Sequence, residues 1–588
     1  MQKFLAELKQ RKVYKVAVVY AAIAWLLLQL SDVIFPPLGL PEQAITLVLV
    51  IAAAGFPIAL VLAWVFDLTS KGVTRTTAGV PFQPHPLSRS RVIEFALIGV
   101  LVFAVGYLYL DRLASQGGKS EIGRETSARS VAVLPFANLS GEESNEAFTN
   151  GIHDDLVSHV SRIGSIRTIS RTSVIQYRET MKTIPEIAKE LGVATVLEGG
   201  VQRVGDRVRI NAQLIDAGTD RHLWADSFDR ELTAHNIFSI QSEIAMAIAN
   251  ALQVTLTADE QRRLVSVPTN NIAALETYFI GKRMLEDRTK ESLQAAVEYF
   301  EKVIELDPNF ALAHSGLADA YMLLPEYWSG ADRDMVIRKS NSAVENALEL
   351  DPELPEVITS LAWNRLIHDY DWKGAEETFN RALEIQSNNT NALHWISHTL
   401  SWQGRHEEAL EYARRAVSVD PLSLLMQMNL VYILVDAGQY DVALELGNQL
   451  ESREPEYYAL RRNLWLHELR ASRPENAAKI FRSWAAVTNA DLVAAEEVGQ
   501  MFIDYAQNGT AGNLSPELIR RLKLGAEDLP QVYAFIGNRE GTLDALEQAA
   551  AGRTGSRSVL SMKVNPGYDF IRGDTRFKTL LNKVGLSE

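Results

Sequence analysis

"ELDPNFALAHSGLADAY", residues 305–321, is echoed three times further along the chain, as "ELDPELPEVITSLAW" (349–363), "EIQSNNTNALHWISHTL" (384–400) and "SVDPLSLLMQMNLVYIL" (418–434). Aligned, these stretches place Asp307, Asp351, Gln386 and Asp420 in one register, 44, 35 and 34 residues apart. Ala375, Ala409 and Ala443 keep the 34-residue step, as do Gly404 and Gly438. A fixed period of this length marks stacked helix pairs. The Asp-Pro step stops one pair before the next begins, because proline has no N–H with which to continue a helix. Small alanines let paired helices approach, and Phe300 and Phe379 fill the space left between them. The longer first step calls for about ten inserted residues, placed near "PEYWSGADRD" (325–334).

The pattern is identified as tetratricopeptide repeats, expected over 270–454, with degenerate helical repeats and a C-terminal cap over 455–588. One pair buries little by itself; stacking makes a continuous core and a concave surface on which a partner segment is held. The register puts Asn364, His368, Asn391, His394, His398 and Tyr432 on that surface, with Trp402 as a further ligand contact. These are the expected contacts for a protein or peptide partner. His394 and His398 stand one turn apart, but no carboxylate falls in register with them, and no metal site, cofactor or catalytic residue is expected. Trp363, Trp372 and Trp395 are read as inter-helix packing. The closing stretch "VNPGYDFIRGDTRFKTLLNKVGL" (564–586) is read as covering the last apolar face.

Upstream the period changes. Over 129–260, "SVAVLPFANLS" (130–140) reads as a buried strand, and Phe148, Ile152, Leu156 and Val160 recur every fourth residue as on an amphipathic helix. "TIPEIAKELG" (183–192) is a helix with its own punctuation: Thr183 and Glu186 suit a capping box, Pro185 the first turn and Gly192 the exit. Val208, Ile210, Ala212 and Leu214 alternate with Arg207, Arg209, Asn211 and Gln213, a strand with one wet face. His153, Asp154 and Asp155 are neighbours on a helix and point in different directions, so they form no shared acid/base or metal site. "GGVQRVG" (199–205) runs from strand to strand and offers no helix N-terminus to a phosphate.

"VAVLPFANLSG" (131–141), "GIHDDLVSHVSRI" (151–163), "IAKELGVATVLEGGVQRVGDRVRINAQLIDA" (187–217) and "HLWADSFDREL" (222–232) together resemble the amino-terminal domain of TolB as it occurs fused to repeat arrays in bacterial proteins. The resemblance implies a small α/β domain used for protein contact, with no catalytic residue to carry over.

The N-terminal 112 residues read as a membrane domain with three spans, 16–35, 44–66 and 92–110, each near the length a bilayer crossing needs. Gln29, Ser31 and Asp32 interrupt the first one late, so an interfacial helix competes with a span there. Lys3, Lys9, Arg11, Lys12 and Lys15 precede the first span, and Lys71, Arg75, Arg89 and Arg91 lie between the second and third; "PPLGLPEQ" (36–43) has no basic residue. The positive-inside rule then puts the N-terminus and the 67–91 loop in the cytoplasm, and everything after about residue 112 in the periplasm. Arg112 opposes this mildly. The expected location is the bacterial inner membrane, with 113–128 as a linker.

The fold class is thus multidomain: transmembrane helices, a small α/β domain of TolB amino-terminal type, then an all-α solenoid. The chain has no cysteine, which excludes disulfides, thiolate metal sites and cysteine nucleophiles. Its net charge is −15, and the part after the membrane domain carries −19, so the electrostatic footprint of nucleic-acid binding is missing there. The function expected is that of a non-catalytic scaffold or sensor that binds protein or peptide partners. Two alternatives stand beside it. One is a signal-transduction component related to adenylyl cyclase or transcriptional-regulator sensor regions, since similar TolB-like and repeat regions occur joined to such domains. The other is an envelope-complex assembly factor, by domain-level analogy with TolB.

Overall fold

The computed structural model describes residues 127–587 apart from 143–144, 288, 328–331, 455–457, 526–527 and 553–555, together with 66–69, 72–75 and four isolated positions nearer the N-terminus. The chain divides into two units, Met1–Gly123 and Arg124–Glu588.

In the first unit, β1 (Phe66–Thr69) and β2 (Gly72–Arg75) pair antiparallel, Phe66 opposite Arg75. The segment expected as a cytoplasmic loop therefore carries a strand pair, and Phe66, the last residue of the second apolar stretch, belongs to it. Tyr20, Ala24, Trp25 and Phe56 are helical. The Tyr20 and Phe56 rings lie 5.6 Å apart. The remainder of the three expected spans lies outside the described residues. Among the described residues no helix is long and apolar enough to cross a membrane.

The second unit opens with a six-stranded mixed sheet: β3 (Ser127–Val133), β4 (Ala137–Asn138), β5 (Arg167–Thr168), β6 (Val193–Val204), β7 (Arg207–Asp216) and β8 (Arg221–Glu231). The order is β5-β3-β6-β7-β8, with β4 beside the far end of β6. β3 runs parallel to both β5 and β6, whereas β6, β7 and β8 form an antiparallel meander. Alternation along β3 assigns the two faces. Val131 and Val133 pack towards α1 (Glu146–Ser161), and Ala132 and Leu134 pack on the opposite side. There they meet the short α2 (Arg171–Val174) and α3 (Ile184–Leu191). Helix α3 has the expected punctuation: the Thr183 N–H donates to Glu186 Oε2 at 2.7 Å, and the helix ends at Gly192 in the left-handed region. α4 (Ala234–Ala251) lies with α1 on the first face, and α5 (Ala258–Leu264) leads into the repeats.

Helix pairs follow: α6 (Ile272–Glu286) with α7 (Lys290–Leu306), α8 (Ala311–Tyr327) with α9 (Arg333–Leu350), and α10 (Pro355–Asp369) with α11 (Trp372–Ile385). Next come α12 (Thr390–Trp402) with α13 (His406–Val419) and α14 (Leu424–Asp436) with α15 (Tyr440–Arg453). The repeat register is a helix-ending position. The backbone N–H groups of Asp307, Asp351, Gln386 and Asp420 bond back to the carbonyls of Val303, Ala347, Ala382 and Ala416 at 2.8–2.9 Å. Gly404 and Gly438 take φ of 89° and 74°, a left-handed turn inside each pair that favours glycine. Phe300 is fully buried between Gly281 and Gly316, where an added Cβ would come within 3.0 and 2.5 Å of its ring.

The pairing continues where the sequence pattern fades, through α16 (Tyr458–Arg470) with α17 (Pro474–Val487) and α18 (Leu492–Asn508) with α19 (Pro516–Leu522). Then α20 (Leu529–Phe535) packs with α21 (Arg539–Ala551), and α22 (Arg557–Leu560) and α23 (Thr575–Lys583) close the chain. This closing segment does more than cover the last pair. Arg576 binds Glu547 of α21 at 2.8 Å, while the Trp372 indole N–H donates to the Val584 carbonyl at 2.7 Å, far back at the start of α11. Val559, Leu560, Met562, Tyr568 and Phe577 share one buried cluster with Ile358, Leu393 and Leu430. The expected cap is thus a bridge from the last pair to the third.

The α/β domain and the repeats are also one compact unit rather than two separate bodies. Ser173 donates to Asp420 Oδ1 at 2.6 Å, Arg167 to the Ser418 carbonyl at 2.8 Å and Asn388 to the Ile166 carbonyl at 2.7 Å. The sheet domain therefore sits on the same inter-repeat turns that set the register.

Candidate functional site

The first helices of successive pairs lie side by side, α6 against α8, α8 against α10, α10 against α12, α12 against α14 and α14 against α16. They line the inner face of the stack, the surface on which the sequence places its partner contacts. Their side chains form a continuous row of rings. Trp363 and Trp395 are 3.7 Å apart, His394 stacks on Trp395 at 4.3 Å and His398 on Trp402 at 5.0 Å. Tyr432 follows 6.2 Å from His398, and His467 meets Tyr432 edge-on at 5.6 Å.

The row is not open surface. Arg557, from the closing segment, lies with its guanidinium carbon 3.8 Å from the Tyr432 ring centre and Nη2 3.5 Å from His398 Nε2. His394, His398 and Trp402 are buried, and Tyr432 is half-buried beneath Arg557. Asn364 is buried too and donates to Asn341 Oδ1 at 2.7 Å, an inter-helix contact. His368 is half-buried, and only Asn391 of the seven expected contacts is exposed. The structure brings His394, His398, Trp402 and Tyr432 together and leaves Asn364, His368 and Asn391 outside that group. A single repeat cannot reveal that a segment more than a hundred residues away lies across these positions.

Burial sets the protonation of this row. It pushes the His398 and His467 imidazoles well below their ordinary range, with Arg557 adding to the effect on both. Beneath the row, Arg470 pairs with Asp436 at 2.5 Å, both buried, and Ser401 donates to the second Asp436 oxygen at 3.0 Å. His467, Arg470, Asp436 and Arg557 escape sequence reasoning, because their roles rest on neighbours far apart in the chain.

A second polar cluster lies where α1 meets the first helices of the early pairs. A cavity of about 170 Å³ is lined by Asp155, His159, Tyr278, Lys282, Asp319 and Glu356, among others. Lys282 Nζ lies 3.8 Å from Asp155. Asp154 pairs with Arg171, which reaches Glu286 at 2.9 Å. Burial raises the Asp155 carboxyl to about 6, and burial with the nearby Arg162 lowers the His159 imidazole to about 3. Burial opposes the Lys282 charge, but Tyr278, Asp155 and Asp154 outweigh it and hold the ammonium above its usual range. His153 faces the Val133 carbonyl at 3.0 Å and also meets Asp154 Oδ1 at 3.2 Å, so two of the three neighbours expected to point apart are in contact, while Asp155 turns to Lys282. Among the described residues no group of His, Asp and Glu converges as a metal-ligand set.

Residues 127–247 match the family described as HilA/YgeH-like transcriptional regulator, second domain, and residues 288–310, 402–452 and 429–492 match tetratricopeptide repeats. The chain carries tetratricopeptide repeats, and the sheet domain ahead of them is similar to the second domain of that regulator family. A Rhizobium meliloti protein provisionally named adenylate cyclase 3 is 35% identical over 247 residues, 41% of each chain. This chain thus spans about two fifths of that relative's length. Transcriptional regulator HilA of Salmonella typhimurium is 20% identical over 478 residues, 80% of this chain and 82% of HilA. Among solved structures, YrrB, described as a TPR protein with an unusual peptide-binding site, is similar at 19% identity, with 35% of this chain and 96% of YrrB covered and a TM-score of 0.23.

Proposed function

We propose that this chain is a non-catalytic, membrane-anchored interaction protein whose repeat array binds a protein or peptide partner, as a scaffold or sensor. The observation that carries the reading is that the ring-lined inner face already holds a stretch of polypeptide, with Arg557 seated on Tyr432. A surface shaped for one segment is suited to binding another. In this reading residues 1–112 sit in the bacterial inner membrane with the N-terminus cytoplasmic, and residues after about 112 are periplasmic. The TolB-like features of the 129–260 region make it a second contact surface.

Photo-crosslinking in living cells from exposed Asn391 tests the binding role; recovery of no partner under conditions that crosslink a known repeat scaffold would count against it. Topology is tested separately. The chain has no cysteine, so Ser115→Cys offers one thiol to an impermeant maleimide. Labelling in intact spheroplasts is expected; labelling only after lysis refutes the periplasmic placement.

A second reading is favoured by the relatives. The similarity to a protein named as a cyclase and to a transcriptional regulator makes a signal-transduction role the leading alternative, with the 127–587 region as its sensor part. Cyclic nucleotide made by the purified chain would replace the non-catalytic reading. Envelope-complex assembly is the third reading and rests on the TolB resemblance alone.

A further inference from the structure

We propose that Tyr432, His398 and His467 form a recognition seat for a protein segment that presents an arginine ahead of apolar residues, and that the chain's own Arg557–Met562 stretch is the resident occupant which such a segment displaces. This rests on the partner-binding reading above and names the partner's chemistry.

The occupant itself defines what the seat recognises. The Arg557 guanidinium stands 3.8 Å from the Tyr432 ring centre, in the geometry of a cation over an aromatic face. Its Nη2 is directed at His398 Nε2, 3.5 Å away. Burial holds both flanking imidazoles well below their ordinary range, so neither repels a cation, and His398 Nε2 faces the guanidinium. Among the described residues no carboxylate pairs with Arg557, and Asp436, on α14 with Tyr432, is taken by Arg470 and Ser401. The seat is therefore selective for a cation that binds through its planar face, as arginine does and lysine does less well. Two, three and five residues on, Val559, Leu560 and Met562 are buried in the cluster that contains Leu430 and Val431 of α14. The recognised pattern is an arginine followed by branched or flexible apolar side chains at those steps.

A second observation says that the resident can be exchanged. Around the seat, His398 Nδ1, His467 Nδ1, Arg470 Nε, Ser556 Oγ and Ser561 Oγ are buried without a hydrogen-bond partner among the described residues. Buried polar groups left unpaired weaken the arrangement that leaves them so. A segment that supplies those partners while keeping the arginine and apolar contacts competes with residues 556–562.

The test uses the full chain in detergent and a labelled peptide of residues 556–572, with an Arg557→Ala peptide as its pair. In the wild-type chain the seat is filled and the peptide binds weakly. In an Arg557→Ala chain the peptide is expected to bind about tenfold tighter or better, and the alanine peptide to lose about tenfold of that affinity. Adding Tyr432→Leu to the Arg557→Ala chain, which keeps an apolar side chain but no ring, should abolish the difference between the two peptides. Equal binding of both peptides, or no gain in the Arg557→Ala chain, overturns the proposal. So does an Arg557→Ala chain that no longer melts cooperatively while Arg557→Lys does, because the arginine is then a structural strut. Binding of the peptide with no partner crosslinked in cells would instead sink the scaffold reading and leave the seat standing.

Discussion

Gly151 lies on α1 of the sheet domain, and a Cβ added there would stand 2.1, 2.3 and 2.5 Å from three carbons of the Phe279 ring on α6. Ordinary carbon contacts are about 3.5–4.0 Å, so the ring would have to retreat by more than about 1 Å. It has little room, being 3% exposed and wedged against Phe148 and Tyr278 with ring centres 6.3 and 6.2 Å away. Overpacking of this kind costs about 1–3 kcal/mol, and so tight a contact belongs at the upper end. Against this, alanine is better than glycine inside a helix by about 1 kcal/mol. The two effects have opposite signs, and the structure says which wins: Gly151→Ala should destabilise the chain by roughly 2 kcal/mol. The assay is thermal unfolding followed by tryptophan fluorescence, with Phe279→Leu and the double variant alongside. In the Phe279→Leu background the penalty should largely vanish, giving a coupling of about 1–2 kcal/mol. A Gly151→Ala chain that melts higher than wild type would refute the reasoning. That is the behaviour of a helix glycine facing solvent, and it would mean that the sheet domain does not pack on the repeats as described.

Asp155 gives a pH dependence of unusual sign. A carboxyl raised to about 6 from 3.8 binds its proton more tightly when folded, so its stabilising contribution is full below the unfolded value and is lost as pH rises through about 6. The shift corresponds to about 3 kcal/mol, and Asp155→Asn should remove that slope, seen by comparing unfolding midpoints at about pH 4.5 and about pH 7.5; a wild-type to variant difference that stays flat with pH defeats the assignment. Trp372→Phe keeps the packing but removes the 2.7 Å bond to the Val584 carbonyl. It should loosen the closing helix by about 1 kcal/mol, read as faster amide exchange over 575–583 with exchange over 390–402 unchanged.

The repeats were legible because their signal is local and periodic. Asp307, Asp351, Gln386 and Asp420 each end a helix by the same backbone bond, and aspartate recurs at three of these four positions. Glu454 makes the equivalent bond to Leu450 at 2.9 Å, one period beyond Asp420 and at the last position of the expected repeats. The geometry outlasts the residue identities, since the bond uses the backbone and tolerates a change of side chain. Strand alternation in β7 and the punctuation of α3 were legible for the same reason. What the sequence did not reveal are contacts between distant segments: Ser173 on Asp420, Trp372 on Val584 and Arg557 on Tyr432. None of these leaves a period, and the last of them covers Tyr432 and His398. His398 and Trp402 have the spacing of an open concave face and the burial of a core.

That covering changes what binding at the inner face means thermodynamically. A partner that needs the Tyr432 seat binds only those molecules in which residues 556–562 have left it, so its apparent affinity is the intrinsic one reduced by that fraction. If about one molecule in a hundred is open, the apparent affinity is weakened about a hundredfold, and anything that favours the open form raises it. Beyond the seat the closing segment is tied through Arg576 to α21 and through Val584 to Trp372, so release at the seat is coupled to the geometry of the stack between α11 and α21. The sheet domain grips the turns at Ser418 and Asp420, between the pairs that carry His398 and Tyr432. A shift of that domain on the turns would alter the spacing of the two residues that hold the arginine. The same contacts that hide the candidate site from sequence reasoning therefore provide a physical path by which the sheet domain can set the affinity of the repeats for a partner.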